Sequence, residues 1–332
     1  MKVCVIGGAG YIGSHAVYEL KRANHEVVVI DNLSTGHRHF VPTDVSFYEG
    51  DITDKVFMHD TFALENSKKP IDVVMHFAGK IIVPESMKKP LEYFYNNVEG
   101  VRVMLETMTQ FNIKNIVFSS TAAVYGNPTN GICHEEDILN PINVYGETKL
   151  MDEKMIKWTS EIYGMNYCIF RYFNVAGADA SLEIGYDKKE ATHILPIIAQ
   201  TIIGVRDKMV IFGNDYDTSD GTCIRDYVHV TDLAKAHVLG VEYLMREHKN
   251  LIVNLGSNNG YSVKEVVDIA YKIRPFNYEF GPRREGDPAK LIASNDKAKN
   301  ILGWQPTLTL EDIVNSDINY CLKINSNRWE TI

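Results

Sequence analysis

The 332-residue sequence contains no CxxC pair. Its five cysteines, Cys4, Cys133, Cys168, Cys223 and Cys321, are scattered and odd in number, so neither a zinc site nor a disulfide framework is expected. No apolar run approaches the roughly 18–20 residues needed to cross a bilayer. The N-terminus enters a strand pattern at once, without the regions of a signal peptide. These absences lead us to expect a cytoplasmic chain with reduced thiols and no membrane partner. Positive charge is also scarce. Lys and Arg number 34 against 43 Asp and Glu, a formal net charge of −9. That balance argues against nucleic-acid binding and requires any anionic ligand to be met by local arginines. There is no internal repeat and no low-complexity segment. Hydrophobic residues make up 45% of the chain, enough for a sizeable core. The length suits one large α/β domain or two smaller ones.

Apolar runs alternate with helical patterns through the first half. Strands are expected at 2–6, 26–30, 45–49, 72–76, 115–119 and 166–170, with long helices near 91–111 and 145–163. That alternation predicts a doubly wound, mostly parallel Rossmann sheet. The texture changes after Asn174. Residues 176–192 are polar and loop-like, a helix is expected at 194–203 and a short strand at 210–212. Residues 227–230 and 252–255 read as strands returning to the main sheet, and the last eighty or so residues as short helices and loops. We therefore expect a main, cofactor-sized domain of residues 1–174 plus about 227–255. A smaller, discontinuous C-terminal α/β domain, about 175–226 plus 256–332, would bind substrate across the cleft.

The first strand runs into Gly7-Gly8-Ala9-Gly10-Tyr11-Ile12-Gly13, followed by a helix and then a second strand ending at Asp31. Gly7 or Gly8 permits the tight turn, Gly10 lets the backbone approach a pyrophosphate, and Gly13 lets helix and strand pack closely. Free N–H groups at the helix N-terminus face the phosphates. Asp31 would accept hydrogen bonds from the adenosine ribose and repel the extra phosphate of NADP. The order of strand, glycines, helix, strand and acid points to NAD, and disfavours an NADPH-using ketoreductase.

Tyr145-Gly-Glu-Thr-Lys149 stacks Tyr145 and Lys149 on one helix face. A free tyrosine, with a pKa of about 10, is too weak a base at pH 7. A neighbouring ammonium and a positively charged nicotinamide would favour the phenolate. Thr121, at the end of the fifth strand, could relay a proton to Tyr145. Its alternative is a threonine satisfied by its own loop.

Further segments extend the pattern: Asp31-Asn-Leu33, His76-Phe-Ala-Gly79, Asn96-Asn-Val98, Ser119-Ser-Thr-Ala-Ala-Val-Tyr-Gly126, Arg171-Tyr-Phe-Asn174, Gly221-Thr-Cys-Ile-Arg-Asp-Tyr-Val-His229 and Arg283-Arg-Glu-Gly-Asp287. In order and over essentially the whole chain, the sequence resembles the UDP-glucose 4-epimerase family of extended short-chain dehydrogenases/reductases. The resemblance implies that Tyr145 is the catalytic base, Thr121 its partner, and Lys149 a group that tunes Tyr145 and holds the nicotinamide ribose. It implies NAD contacts from Tyr11, Ile12, Asp31, Asn32, Leu33, Ser34, Thr35, Gly36, Asp51, Ile52, Phe77, Ala78, Gly79, Asn96 and Phe173. It implies UDP-sugar contacts from Asn174, His193, Ile194, Phe212, Arg225, Arg284, Asp287 and Leu291, and a homodimer paired through the two long helices. Within that set Arg225 and Arg284, from distant segments, could clamp the diphosphate, the alternative being structural ion pairs with Asp226 or Glu285. The activity implied is reversible C4 epimerisation of UDP-glucose and UDP-galactose through a 4-keto sugar, with NAD regenerated in each turnover. No metal is implied.

Three positions depart from the family pattern. Ile81 stands where a lysine often faces the cofactor phosphates, with Lys80 before it. His193 stands where asparagine is common beside the uridine. Leu291 stands where some members carry a crowding tyrosine, which suggests that N-acetylated UDP-hexosamines also enter. A related 4,6-dehydratase would carry Asp-Glu where this chain has Ala122 and Ala123. A non-catalytic NAD-binding regulator would need neither Tyr145 with Lys149 nor the arginine pair.

Overall fold

The computed structural model describes residues 1–128, 130–188, 191–284 and 287–329, the last four as backbone only. Seven strands form one sheet in the order Leu251–Leu255, Asn166–Tyr172, Asn115–Thr121, Val73–His76, Lys2–Ile6, Glu26–Asp31, Ser46–Glu49. Every neighbouring pair is parallel. The chain winds outward from Lys2–Ile6 to Ser46–Glu49, then crosses to Val73–His76 and winds the other way. The loops leaving Ile6 and His76 therefore diverge, and the crevice between them is where such sheets bind ligands.

The continuous apolar strands reflect burial on both faces. Val3 and Val5 pack with Ala16, Val17 and Leu20 of the helix Tyr11–Arg22 and with Leu233 of Val230–Glu247. Cys4 and Ile6 point to the other face, among Met58, Phe62, Met104 and Met108. Among the apolar residues of the first strand sits Lys2, fully buried. Its ammonium meets Glu65 at 2.7 Å and donates to the carbonyls of Glu65 and Lys69.

A second sheet, lying over the C-terminal side of the first, runs Gly260–Ser262, Ile224–His229, Lys290–Ala293, Ile132–Cys133, with Asn174–Ala176 also pairing Ile224–His229. Met209–Phe212 pairs with Tyr278–Gly281 in a third. This corrects one expectation. Leu251–Leu255 does join the main sheet, but residues 227–229 belong to the second sheet, paired with Asn174–Ala176. A short apolar strand carries no mark of which sheet it enters.

Two further expectations change. The helix foreseen at 91–111 is an α-turn at Pro90–Tyr93, a π-helical stretch at Phe94–Glu99 and an α-helix at Gly100–Gln110. The chain's last eighty or so residues hold the helix Val263–Ile273, with a capping box at Ser262 and Glu265, and the long helix Leu310–Trp329. The helix Val144–Tyr163 begins where Asn143 accepts from Gly146 N at 2.8 Å and ends at Gly164, at φ 63°.

Candidate active site

The glycine turn is as tight as its residues suggest. Gly7 has φ 79°, and a Cβ there would lie 2.6 Å from Ala78 N. A Cβ on Gly13 would lie 2.1 Å from Gly7 O, so helix and loop touch through backbone. The helix that follows starts at Gly10 with no side-chain cap and no acid in its first turn. Its first N–H groups, from Tyr11 and Ile12 onward, thus suit an anion. Asp31 Oδ2 accepts from Ala9 N at 2.9 Å, and Oδ1 from Leu33 N at 2.8 Å. Burial pushes its carboxyl up while these backbone donors oppose the shift. Each oxygen keeps a lone pair for a ribose hydroxyl.

The other strand ends converge on the same edge. Asn32 donates to Asp51 Oδ2 at 2.9 Å and accepts from Ser34 N. Thr35 and Gly36 complete that turn, with Gly36 so close under Ala9 that a Cβ would meet Ala9 O at 2.7 Å. Ile52 is buried against Gly100. Phe77 N donates to Ile6 O, which carries Phe77, Ala78 and Gly79 alongside the glycine turn. Uncapped N–H groups, a buried acid and an edge built of glycine backbone fit a dinucleotide. Tyr11 is a partial surprise: its hydroxyl donates to Gly177 O at 2.6 Å, so its side chain joins the two halves of the chain and only its backbone faces the edge.

Tyr145 and Lys149 sit one turn apart at the head of Val144–Tyr163. Thr121 faces the Tyr145 phenol closely enough to favour its phenolate, and its Oγ1 accepts from Ala123 N of its own loop at 3.1 Å. The Lys149 ammonium lies 4.7 Å from the centroid of the Phe118 ring, and a Cβ on Gly79 would come within 3.7 Å of it. The electrostatics differ from expectation. Burial pushes the Tyr145 phenol up to about 12, Thr121 opposes this, and Asp152 adds to it. Burial also lowers Lys149, against the pull of Asp152 and Glu153. The protein alone thus desolvates the pair more than Lys149 activates it.

Six expected substrate residues, Asn174, His193, Ile194, Arg225, Arg284 and Asp287, line one cleft formed by strands of the second sheet and the start of the helix Ile194–Ile202. Arg225 is anchored by Nη1 to the carbonyls of Ile224 and Pro288 at 2.9 and 2.8 Å. Its Nη2 lies 3.5 Å from Asp287 Oδ1 and makes no hydrogen bond among the described residues. Asp226 is not its partner. That carboxylate accepts instead from Ser257 and Ala293 N. Glu285 lies outside the described residues. The Arg284 guanidinium sits 4.1 Å from the centroid of the Phe212 ring. Leu291 pairs with Arg225 in register and packs with Phe173 and Val124. His193 is lowered by burial and by Lys188, so its ring is neutral at pH 7 and offers one donor and one acceptor.

At the departures, Lys80 turns to Glu92 at 3.0 Å and Ile81 is exposed. Ala122 and Ala123 form a 3-10 turn after Thr121, with no carboxylate in either place. Asn96 Oδ1 accepts from Lys80 N at 3.1 Å. Its neighbour Asn97 was missed. It is buried, accepts from Lys80 N at 2.8 Å, and donates to Lys80 O and Thr148 Oγ1, tying the loop after His76 to the Tyr145 helix. The π-helical turn aims it inward, and a 3.6-residue period gives no sign of that. Also missed is the buried pair of Glu153 and Arg171, which fixes the same helix to the sheet.

The sequence profile of the NAD dependent epimerase/dehydratase family matches residues 3–256. A UDP-glucose 4-epimerase of Lacticaseibacillus casei is 50% identical, over 92% of each chain. One of Halalkalibacterium halodurans is 47% identical, over 96% of this chain and 95% of its own. The crystal structure of UDP-glucose 4-epimerase from Bifidobacterium longum in complex with NAD+ and UDP superposes with a TM-score of 0.91 at 36% identity. It covers 98% of this chain and 99% of that one.

Proposed function

The chain belongs to the NAD dependent epimerase/dehydratase family, and from that premise we propose that it inverts C4 of a UDP-hexose, interconverting UDP-glucose and UDP-galactose with a resident NAD. The observation that carries this is Thr121 facing the Tyr145 phenol, one turn from Lys149 on the same helix, together with a cleft lined by Arg225 and Arg284. Bound NAD, held by the glycine turn, Asp31 and Lys149, would supply the hydride acceptor and donor for C4 and a positive ring charge that favours the Tyr145 phenolate. Tyr145 takes the proton of the sugar 4-hydroxyl, with Thr121 facing the phenol, and returns it when the 4-keto sugar is reduced on its other face. Arg225 and Arg284 hold the diphosphate while the keto sugar turns.

Elimination by a dehydratase route lacks its acid and base, since Ala122 and Ala123 carry no proton. The rival from another class is a non-catalytic NAD-binding regulator. A Tyr145→Phe variant decides between them. Loss of UDP-glucose and UDP-galactose interconversion with NAD still bound supports the base assigned here. Parental turnover in the variant removes it, and a parent with no turnover revives the regulator.

Finer features belong with this proposal. Leucine at 291 leaves room beside the sugar for an N-acetyl group. The NAD-binding unit is residues 1–174 plus about 227–255, its return best begun at the helix Val230–Glu247, which packs on the main sheet. A homodimer is supported by exposed Leu91, Tyr95, Trp158 and Ile162 on adjacent helices. Sedimentation as a monomer at micromolar concentration would remove it. Among the described residues no helix is long and apolar enough to cross a membrane, and no disulfide joins the cysteines. A cytoplasmic location is consistent with both.

A further inference from the structure

The two large sheets each carry part of the site. Thr121 ends a strand of the main sheet and Tyr145 heads a helix packed beside it, whereas Arg225 and Leu291 are register partners on strands of the second sheet. A UDP-sugar gripped at its diphosphate meets Thr121 and Tyr145 productively only if the two layers keep a fixed separation. A chain of buried hydrogen bonds crosses between them. Tyr125 closes the short turn Ala122–Val124 that Thr121 caps. Its hydroxyl donates to Asn254 Oδ1 at 2.6 Å and accepts from Arg171 Nη1 at 3.1 Å. Behind Arg171 stands Glu153 of the Tyr145 helix, which also accepts from Ser120, the residue before Thr121. Beyond Asn254 the chain enters the second sheet. Asn254 Nδ2 donates to Cys133 O at 3.0 Å, and its backbone N–H donates to Glu135 Oε1 at 2.7 Å. Cys133 pairs with Ala293 on the strand of Leu291. Arg171 Nη1 adds a longer bond to Glu135 O at 3.2 Å.

We propose that Tyr125 and Asn254 are positioning residues: the bond between them sets the second sheet, with Arg225, at the separation from Thr121 and Tyr145 that brings C4 of a bound UDP-hexose to the phenol. This rests on the C4 epimerisation proposed above. Tyr125, Asn254, Arg171 and Glu153 are all buried, and every polar atom of their side chains is hydrogen-bonded. Apolar side chains could fill the same space at less desolvation cost, but they would let the layers slide. A fully satisfied network holds one register. The Tyr125 ring has a second, separable task. It packs in the apolar cluster of Val124, Cys133 and Leu291, and its centroid lies 5.2 Å from the Arg171 guanidinium. Tyr125→Phe therefore removes the crossing bond and spares the packing.

The test compares the parent, Tyr125→Phe, Asn254→Leu and the double variant as holoenzymes, well below their melting midpoints. In Tyr125→Phe, kcat for UDP-galactose should fall by about tenfold to a hundredfold, the effect of a misplacement of roughly 1 Å. Affinity for UDP alone, measured by calorimetry, should stay within about twofold, since Arg225 and Arg284 are untouched. Asn254→Leu breaks the same bond from the other side and should show the same split between kcat and UDP affinity. The double variant should be no slower than the slower single one, because one bond can be lost only once. If Asn254→Leu does not fold, Tyr125→Phe decides alone. A kcat within about twofold of the parent in Tyr125→Phe overturns the proposal. So do losses that multiply in the double variant. A parallel fall of kcat and UDP affinity overturns it too, being the mark of a cleft that has merely lost its packing. The two readings fail differently. A parent that binds UDP but does not turn over UDP-galactose removes the epimerase function and this role with it. An active parent matched by its Tyr125→Phe variant removes this role alone.

Discussion

Replacing Glu153 by glutamine keeps the shape of the helix Val144–Tyr163 and removes the charge that holds Arg171. In the native chain Glu153 Oε1 accepts from Arg171 Nε at 2.9 Å and Ser120 Oγ at 2.7 Å, and Oε2 accepts from Arg171 Nη2 at 2.7 Å. Arg171 is 1% exposed, its remaining bonds going to Tyr125 Oη and Glu135 O. The amide offers one neutral acceptor where there were two charged ones and leaves a guanidinium uncompensated in the interior. Breaking a buried pair from one side costs about 3–5 kcal/mol. In a chain of this length that corresponds to a melting midpoint lower by roughly 4–7 °C. The pH dependence has a definite sign. Burial raises the Glu153 carboxyl, but its bonds to Arg171 outweigh this and hold it below the usual range. Its contribution is complete above the unfolded carboxyl value of about 4.3 and fades as pH falls through the lower native value. Calorimetric midpoints of parent and Glu153→Gln should therefore differ by a constant amount between about pH 6 and 8 and converge below about pH 4. Equal midpoints at neutral pH, or a gap that widens in acid, would refute the reasoning. The double change Glu153→Leu with Arg171→Met, an apolar pair of similar size, should recover most of the loss.

Other perturbations bear on the site. Gly13→Ala puts a Cβ 2.1 Å from Gly7 O, so the turn must shift by roughly 1 Å, and the variant should purify folded but without nicotinamide absorbance. Arg225→Met should raise KM for UDP-sugars by on the order of tenfold to a hundredfold, with kcat less affected, as steady-state kinetics would show. Leu291→Tyr should abolish turnover of UDP-N-acetylglucosamine while sparing UDP-glucose. A parent that rejects the N-acetyl sugar would sink the argument from pocket size.

Much of this architecture was legible because it rests on local signals. Val3 to Ile6 and Val27 to Ile30 read as buried strands, and the glycines between them stand where side chains will not fit. Tyr145 and Lys149 were legible through helical spacing, whereas Arg225 and Arg284 were legible only through the family resemblance of their segments. Other features depend on distant contacts. Residues 227–229 have the same pattern whether they pair with Leu251–Leu255 or, as found, with Asn174–Ala176. Asn97 faces inward because a π-helical turn shifts the register. Tyr11 looks like a cofactor residue by position, yet its hydroxyl is held by Gly177, 166 residues away. The rise of Tyr145 to about 12 could not be foreseen from the Lys149 spacing, because desolvation is set by everything packed around the phenol. Asp152, in sequence an ordinary acid on a polar helix, is exceptional only once its burial is known.

The most direct test of the proposed function uses the protein as purified, with UDP-galactose and no added nicotinamide. UDP-glucose should accumulate to a constant ratio with no net change in nicotinamide absorbance, since the hydride borrowed from C4 returns to it. Turnover that requires added NAD, or that leaves stoichiometric NADH and an oxidised sugar, would contradict an epimerase with a resident cofactor.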